Sequence, residues 1–306
     1  MPHTDNRPPP TLENAPPAQG EQLDSSPAAD DRLSKIAAKV GDLPALPQMA
    51  MRVLHLTDSD DWRLDELEEA ILRDHTLAAR FLRLANSPYY GVRHEITTLT
   101  RALNLLGIRK IRSVVLAASV EGLHERKRGS FPGKVLWEHA LAVAFVSQHL
   151  AQWCQSCNPE EAFIAGLLHD IGRPVMDKHG REQCQEVVRM FNTQVAPTLL
   201  DAERTVFDFD HTEVGGIVAH AWNLPPVIAH AIRFHHEPHH APDHVTEAAT
   251  VNLANALCVK YGVGFEKDQD LDLTELPGVG ILELHADQLE DLTTDLLYIV
   301  RPIWAI

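Results

Sequence analysis

The sequence predicts an all-α protein built as a two-lobed helical bundle. Apolar residues recur at intervals of three and four positions, a spacing that places them on one face of a helix. No stretch alternates apolar and polar residues between turn dipeptides, as the strands of a sheet would. The chain has 306 residues, 44 % of them hydrophobic, and is therefore long enough to bury a substantial core.

Residues 33–124 are predicted to form the amino-terminal helical lobe from short helices that follow one another closely. Pro88 is expected to end the third helix and Gly107 the fourth, because proline and glycine interrupt helices. Five apolar stripes mark the helices: Met49, Val53 and Leu56; Leu64, Leu67 and Ile71; Leu77, Phe81 and Leu84; Leu99, Leu103 and Leu106; and Ile108, Ile111, Val115 and Ala118.

Residues 131–265 are predicted to form the second lobe. The segment 135–150 is apolar nearly all round, as expected of a central helix. Asn158-Pro159 marks the start of a helix that runs to Asp170, and Asp210 with Glu213 resembles a capping pair. Apolar periodicity predicts further helices, which cover 226–235 and 246–261.

The two ends of the chain differ from these lobes. Residues 1–28 are rich in Pro, Gln, Ser and Asp and poor in apolar residues, which predicts a disordered leader. Residues 266–306 form a carboxy-terminal extension that lacks periodicity at first and ends in a closing helix over 281–300. Residues 33–265 would then be one folded domain.

Histidines with one acidic partner are the main chemical signal. His139, the pair His169-Asp170, His211 and the pair His235-His236 each lie on, or at the end of, a segment that is predicted to be an apolar helix. Helices packed side by side could direct these groups to one point. Buried imidazole and carboxylate groups need a cation or hydrogen-bond partners, so such a group is typical of a divalent metal site.

The motifs around these residues resemble the HD superfamily of metal-dependent phosphohydrolases, and the upstream motifs resemble the HDOD domain, an HD-related output domain of bacterial signalling proteins. The resemblance covers about residues 33–265. The HD-type motifs are Leu-Leu-His169-Asp170-Ile-Gly-Arg173, Asp210-His211-Thr-Glu-Val-Gly215 and His235-His236-Glu-Pro238, and the HDOD-type motifs are Leu43-Pro-Ala-Leu-Pro47, Arg83-Leu-Ala-Asn-Ser-Pro-Tyr-Tyr-Gly91 and Ala102-Leu-Asn-Leu-Leu-Gly-Ile-Arg109.

The resemblance implies an amino-terminal helical lobe packed on an HD-like lobe, with one or two divalent ions (Mn, Fe, Ni or Mg) at the centre of the active relatives. If the chain is an enzyme, Asp170 and Arg173 are its candidate catalytic residues, and Arg173 stands where the enzymes commonly carry lysine. The implied metal ligands are His139, His169, Asp170, His211, His235 and Asn255.

Asn255 departs from the enzyme pattern, which has an aspartate at this position. An amide removes one negative charge, and one unit charge at 4 Å is worth roughly 4 kcal/mol at an effective dielectric constant of about 20. The segment after His235-His236 contains His239-His240 and lacks the Gly-Tyr-Pro signature of cyclic-dinucleotide phosphodiesterases, which disfavours that activity.

Two functions are therefore predicted as alternatives. The first is a non-catalytic signalling adaptor whose helical surfaces bind other signalling proteins, with homo-oligomerisation as a further option. The second is a metal-dependent phosphohydrolase that acts on a nucleotide or another phosphoester. The first rests on the HDOD resemblance and on Asn255, and the second rests on the five remaining ligand positions.

Composition limits the partners and the location. The net charge of -16 disfavours nucleic acid as a partner, because binding to its backbone relies on basic surface. No apolar run has the length of a membrane span and the amino terminus lacks a targeting pattern, so the predicted location is the cytoplasm. The four cysteines are not expected to form disulfides there.

Three weaker clusters are interpreted as structural or solvated. Cys154-Gln-Ser-Cys157 has the gap of zinc and redox sites but is not followed by a second pair, so a helix end is the preferred interpretation. The second is a histidine-rich loop with incidental histidines, and an exposed metal-binding cluster is the alternative. Its residues are His235, His236, His239, His240 and His244. The third is a basic turn of Arg109, Lys110 and Arg112, with an anionic partner as the alternative.

Overall fold

All regular elements in the described part of the chain are helices, which confirms the all-α prediction. The computed structural model describes residues 35–38, 43–44, 48, 50–53, 63–87, 90, 92, 94–124 and 129–300, and leaves the side chains of 108, 109 and 294–300 undescribed. The predicted disordered leader lies outside these residues, and so do Met49, Leu56 and Pro88.

The amino-terminal helices follow the predicted apolar stripes. They are α1 (Leu64–Leu72), α2 (His75–Ala85) and α3 (Leu99–His124). The Asp74 side chain caps α2 by accepting from the backbone N–H groups of Thr76 and Leu77. Gly107 interrupts α3 with φ 71° and ψ 162°, so this long element is two helices joined at the predicted break.

The next helices position the histidine motifs. α4 (Gly133–Cys154) is buried on most sides, and it packs along α5 (Pro159–Leu168). The Asn158 side chain caps α5, and proline at its first position completes the predicted start signal. A turn at residues 169–171 then leads into α6 (Gly172–His179).

Seven further helices follow in the described part of the chain. The predicted capping box of Asp210 and Glu213 is present at the start of α9. The helices are α7 (Arg181–Asn192), α8 (Leu199–Phe207), α9 (His211–Ala221), α10 (Pro226–Phe234), α11 (Val245–Lys260), α12 (Pro277–Ile281) and α13 (Ala286–Val300), with single 3₁₀ turns at Pro238–His240 and Leu273–Glu275. The predicted closing helix over 281–300 corresponds to α13, which begins at Ala286, five residues later than predicted.

One hydrophobic core extends from the amino-terminal helices into the histidine-bearing ones. Tyr90 packs edge-on against Phe145, with 6.0 Å between ring centroids, and Ser113 donates to Glu160 Oε2 over 2.7 Å. The predicted division at residues 124 and 131 therefore stays a prediction about folding units. No helix in the described residues is long and apolar enough to cross a bilayer.

Candidate functional site

The predicted site residues lie at helix ends and turns that meet inside the bundle. His139 lies within α4, His169 and Asp170 follow the end of α5, His211 is the first residue of α9, and His235 follows α10. All five are buried. Glycine makes one of these approaches possible, because a Cβ on Gly172 would lie 2.0 Å from the carbonyl oxygen of His211.

The side chains converge on Asp170. Its Oδ1 lies 3.1 Å from His211 Nε2, and its Oδ2 lies 3.5 Å from His169 Nε2 and 3.9 Å from His139 Nε2. The ring of His235 completes the cluster, with its centroid 4.9 Å from that of His169 and 5.4 Å from that of His211. The helices therefore bring five of the six predicted ligand residues to one centre.

Three of these histidines are oriented by backbone carbonyls. The Nδ1 of His139 donates to Val263 O over 2.8 Å, that of His169 to Gly166 O over 2.7 Å, and that of His235 to Ile232 O over 2.9 Å. A hydrogen on Nδ1 leaves the lone pair on Nε2, which is the arrangement that outer partners impose on metal-binding histidines. The Nε2 of His169 is buried and has no hydrogen-bond partner.

The donor set fits a divalent metal. His139, His169 and Asp170 offer ligand atoms within 4.8 Å of one another, and so do His211, His235 and His236. A set dominated by imidazole suits Zn, Fe or Ni better than Mg, which prefers oxygen ligands. The buried, unpartnered Nε2 of His169 is the atom that such an ion would satisfy most directly.

A protein cation already contacts the central acid. The Arg173 Nη1 donates to Asp170 Oδ2 over 2.8 Å, and its Nε donates to Glu203 Oε1 over 3.2 Å. All three side chains are buried. Burial alone would raise the pKa of Asp170, but the charges of Arg173 and His211 outweigh it and hold this pKa well below its usual value.

Glu203 also binds His211 twice. Its Oε2 accepts from the backbone N–H of His211 over 2.9 Å and from the ring Nδ1 over 2.5 Å. Burial would lower the pKa of His211, but the Glu203 and Asp170 carboxylates outweigh burial and raise this pKa to about 9. Two acids of the centre, Asp170 and Glu203, therefore face two cations of the protein itself, Arg173 and the His211 imidazolium.

The other histidines of the centre are neutral. Burial lowers the pKa of His169 to about 3 and lowers that of His139 as well. It holds the pKa values of His235 and His236 well below their usual values, with help from neighbouring imidazoles. The Nε2 lone pairs of His139, His169 and His235, whose Nδ1 atoms carry the hydrogen, are thus free of protons at neutral pH.

Three residues of the centre were not among the predicted ligands. Glu203 lies on the buried face of α8 with Leu199 and Ala202, and a carboxylate among apolar neighbours was the signal available in the sequence. Glu266 Oε2 lies 3.8 Å from Arg173 Nη2, in a segment without periodicity. His236 Nε2 lies 3.3 Å from His211 Nε2, and its adjacency to His235 was the signal.

Asn255 is half-buried on α11, and no described hydrogen bond joins it to the centre. The α11 residue that bonds to the centre is Asn252, which donates to His235 O over 2.8 Å and accepts from the backbone N–H of Gly278 over 3.1 Å. A metal-ligand role for Asn255 stays a prediction.

Of the weaker candidates, His235 and His236 of the histidine-rich loop belong to this centre. His239, His240 and His244 are exposed, and among the described residues they are not part of a group that could hold a metal. Lys110 Nζ lies 5.7 Å from the Tyr90 ring centroid, whereas the Arg109 side chain is outside the described set. All four cysteines are free thiols, as expected.

Comparison with known proteins identifies similar chains. The sequence model of the HDOD domain matches residues 43–238. A crystal structure of an HDOD domain protein from Geobacter sulfurreducens is 26% identical, with a TM-score of 0.80 over 90% of this chain and 97% of that one. A candidate signal transduction protein from Marinobacter aquaeolei VT8 is 18% identical, with a TM-score of 0.73 over 93% of this chain and 66% of that one, and shows the fold alone.

A curated relative from Treponema pallidum is described as an uncharacterized protein. It is 25% identical over 225 residues, which are 72% of this chain and 43% of the relative. The chain therefore spans less than half the length of that relative.

Proposed function

Because the chain belongs to the HDOD family, we propose that it is a signal-transduction output module that acts through contacts with other proteins and does not catalyse a reaction. Its partners would be separate signalling proteins, in the cytoplasm. The observation that carries the proposal is the engagement of both oxygens of Asp170 by the protein itself: Oδ2 accepts from Arg173 over 2.8 Å, and Oδ1 lies 3.1 Å from His211 Nε2.

This arrangement weakens the attraction between the Asp170 carboxylate and a catalytic metal ion. Arg173 is 6% exposed and always charged, so its charge acts on Asp170 with little screening by water. At an effective dielectric constant of about 20, one unit charge at 4 Å is worth roughly 4 kcal/mol. The positive charges of Arg173 and of the His211 imidazolium would each repel an incoming cation, and the carboxylates of Glu203 and Glu266 offset part of this repulsion. Asn255, which is uncharged, adds no compensating acid.

A metal-dependent phosphohydrolase is the second candidate, and the unpartnered Nε2 of His169 favours it. A divalent metal at this centre would supply Lewis acidity and a water of lowered pKa. His139, His169, Asp170 and His235 would hold it, together with His211 once its Nε2 proton is released, and Asn255 is the remaining candidate ligand. Arg173 would then turn from Asp170 to the phosphate group of the substrate, two oxygens of which a guanidinium can bind through parallel hydrogen bonds.

The two candidates are separated by elemental analysis of protein purified without a histidine tag, followed by assay of a phosphoester panel with Mn, Fe, Ni or Mg added. We expect no turnover with any of these ions. Metal-dependent turnover that is lost in Asp170→Ala and kept in Asp287→Ala, an exposed acid on α13, would overturn the adaptor function.

A further inference from the structure

A loop at residues 262–266, which we call the cover loop, lies against the histidine centre directly after α11. Val263 O accepts from His139 Nδ1 over 2.8 Å. Gly264 has φ +122°, and a Cβ there would lie 2.7 Å from the same nitrogen, so only glycine fits against the ring. Phe265 packs on Phe131, with 5.5 Å between ring centroids.

Glu266 ends the cover loop and joins it to the charged part of the centre. Its Oε1 accepts from the backbone N–H of Leu199 at the start of α8 over 3.1 Å, and its Oε2 lies 3.8 Å from Arg173 Nη2. Arg173 therefore has three acids within reach: Asp170, Glu203 and Glu266.

We propose that Arg173 and a divalent cation compete for Asp170. When the cation is bound, the Arg173 guanidinium leaves Asp170 and pairs fully with Glu203 and Glu266. The bond to Glu266 then restrains the cover loop. The inference rests on the proposed signalling function and gives it an input, a divalent ion of the class that imidazole-rich sites prefer. It concerns what this chain's Arg173 does when such an ion binds.

The three acids make this exchange possible inside a buried site. Removing a partner from a buried charge is strongly destabilising when nothing replaces it. Here Arg173 would keep Glu203 at its Nε and gain Glu266 at its Nη2, so the guanidinium would not be left unpaired. Asp170 would exchange one cation for another.

A change in the restraint on the cover loop would also affect exposed residues that follow it. Residues 267–270 follow the cover loop and are exposed. Lys260 Nζ donates to Gln269 O over 3.2 Å and to Leu271 O over 2.6 Å, which holds the far side of this turn. Within the loop region, Val263 N–H donates to Cys258 O and Asp268 N–H donates to Val259 O. Hydrogen exchange at these two amides therefore shows whether the cover loop is restrained.

Competition is tested by titrating Ni²⁺ into the chelated, untagged full-length protein by calorimetry. We expect Arg173→Gln to bind Ni²⁺ more tightly than the wild type by about 10-fold or more, the scale on which groups outside the ligand shell alter metal affinity. Arg173→Lys keeps the charge and should stay near the wild-type affinity. Arg189→Gln removes an exposed arginine on α7 and serves as the matched control.

Site specificity is tested with Asp170→Asn, because exposed histidines also bind Ni²⁺. We expect this variant to lose the site and keep only weak surface binding. Equal Ni²⁺ affinities of the wild type and Arg173→Gln would overturn the inference, and so would the absence of specific binding in every variant. Arg173→Gln leaves Asp170, Glu203 and Glu266 without their guanidinium partner, which can weaken the metal-free fold. In that case the rise in the unfolding temperature on addition of Ni²⁺ measures the binding.

The link to the cover loop is tested by amide hydrogen exchange. We expect Ni²⁺ to slow exchange over residues 262–268 in the wild type and in Glu275→Gln, which removes an exposed acid. Glu266→Gln should bind Ni²⁺ without this change. A loop response that persists in Glu266→Gln would overturn the coupling. Turnover of a phosphoester by the Ni²⁺-loaded protein would contradict the proposed function alone, which separates the two failures.

Discussion

Glu203 holds His211 through two hydrogen bonds to one oxygen, from the backbone N–H over 2.9 Å and from the ring Nδ1 over 2.5 Å. The same carboxylate accepts from Arg173 Nε through its other oxygen. One side chain of α8 thus fixes the orientation of an imidazole and of a guanidinium, both of which face Asp170. The charges of the centre depend on this acid, which has no counterpart in the histidine motifs.

Replacing Glu203 with glutamine should lower the pKa of His211 from about 9, because Asp170 is then the carboxylate left to oppose the effect of burial. An NMR titration of the imidazole in chelated protein measures this. Glu186→Gln, which removes an exposed acid paired with Arg189, should leave the pKa of His211 unchanged. A value that stays near 9 in Glu203→Gln would contradict the assigned role.

The protein should lose stability in mild acid, in part because of His124. Burial lowers the pKa of this histidine to about 4, whereas in the unfolded chain it is near 6.5. The unfolded state therefore binds more protons between these values, so the free energy of unfolding falls as the pH drops from about 6.5 to about 4. The full contribution of His124 is about 3 kcal/mol.

Urea unfolding between pH 7 and pH 4 checks this dependence. His124→Gln should show a shallower loss of stability, because glutamine does not titrate and can still donate to Val120 O. His220→Gln, at an exposed position, should keep the wild-type slope. Identical slopes in all three proteins would show that His124 is not the group that titrates.

Asn252 should matter more for stability than Asn255. Asn252→Ala removes the donor to His235 O and the acceptor for Gly278 N–H, and leaves buried backbone groups without partners. The expected loss is about 1–3 kcal/mol in the free energy of unfolding. Asn255→Ala, at a half-buried position on the same helix, should lose clearly less. Equal losses measured by urea unfolding would contradict the assignment of Asn252 as the α11 residue that supports the centre.

The helical fold could be predicted from the sequence to a large extent, because each helix buries one apolar face and so repeats apolar residues at helical spacing. Gly107 and the cap at Asp210 have local causes and were predicted for that reason. The segment that contains α7 and α8 lies between the histidine motifs, and no helix was predicted there. Glu203 was missed with it.

The charge pairing of the centre could not be predicted for a different reason. Arg173 was predicted only as a candidate catalytic residue, and its hydrogen bonds to Asp170 and Glu203 depend on how α6 and α8 pack. Glu266 comes from a loop without periodicity, far along the chain. The convergence of the histidines could be predicted because they lie at the ends of neighbouring helices. The charged partner of each acid depends on tertiary contacts between distant segments, which produce no recognisable pattern in the sequence.

The central claim is that Arg173 neutralises Asp170 within the protein, and a double-mutant cycle in chelated protein tests it most directly. The free energy of unfolding is measured for the wild type, Arg173→Gln, Asp170→Asn and the double variant. We expect each single variant to be less stable than the wild type and the double variant to lose less than the sum, with a coupling of about 2 kcal/mol. Additive losses would contradict the account.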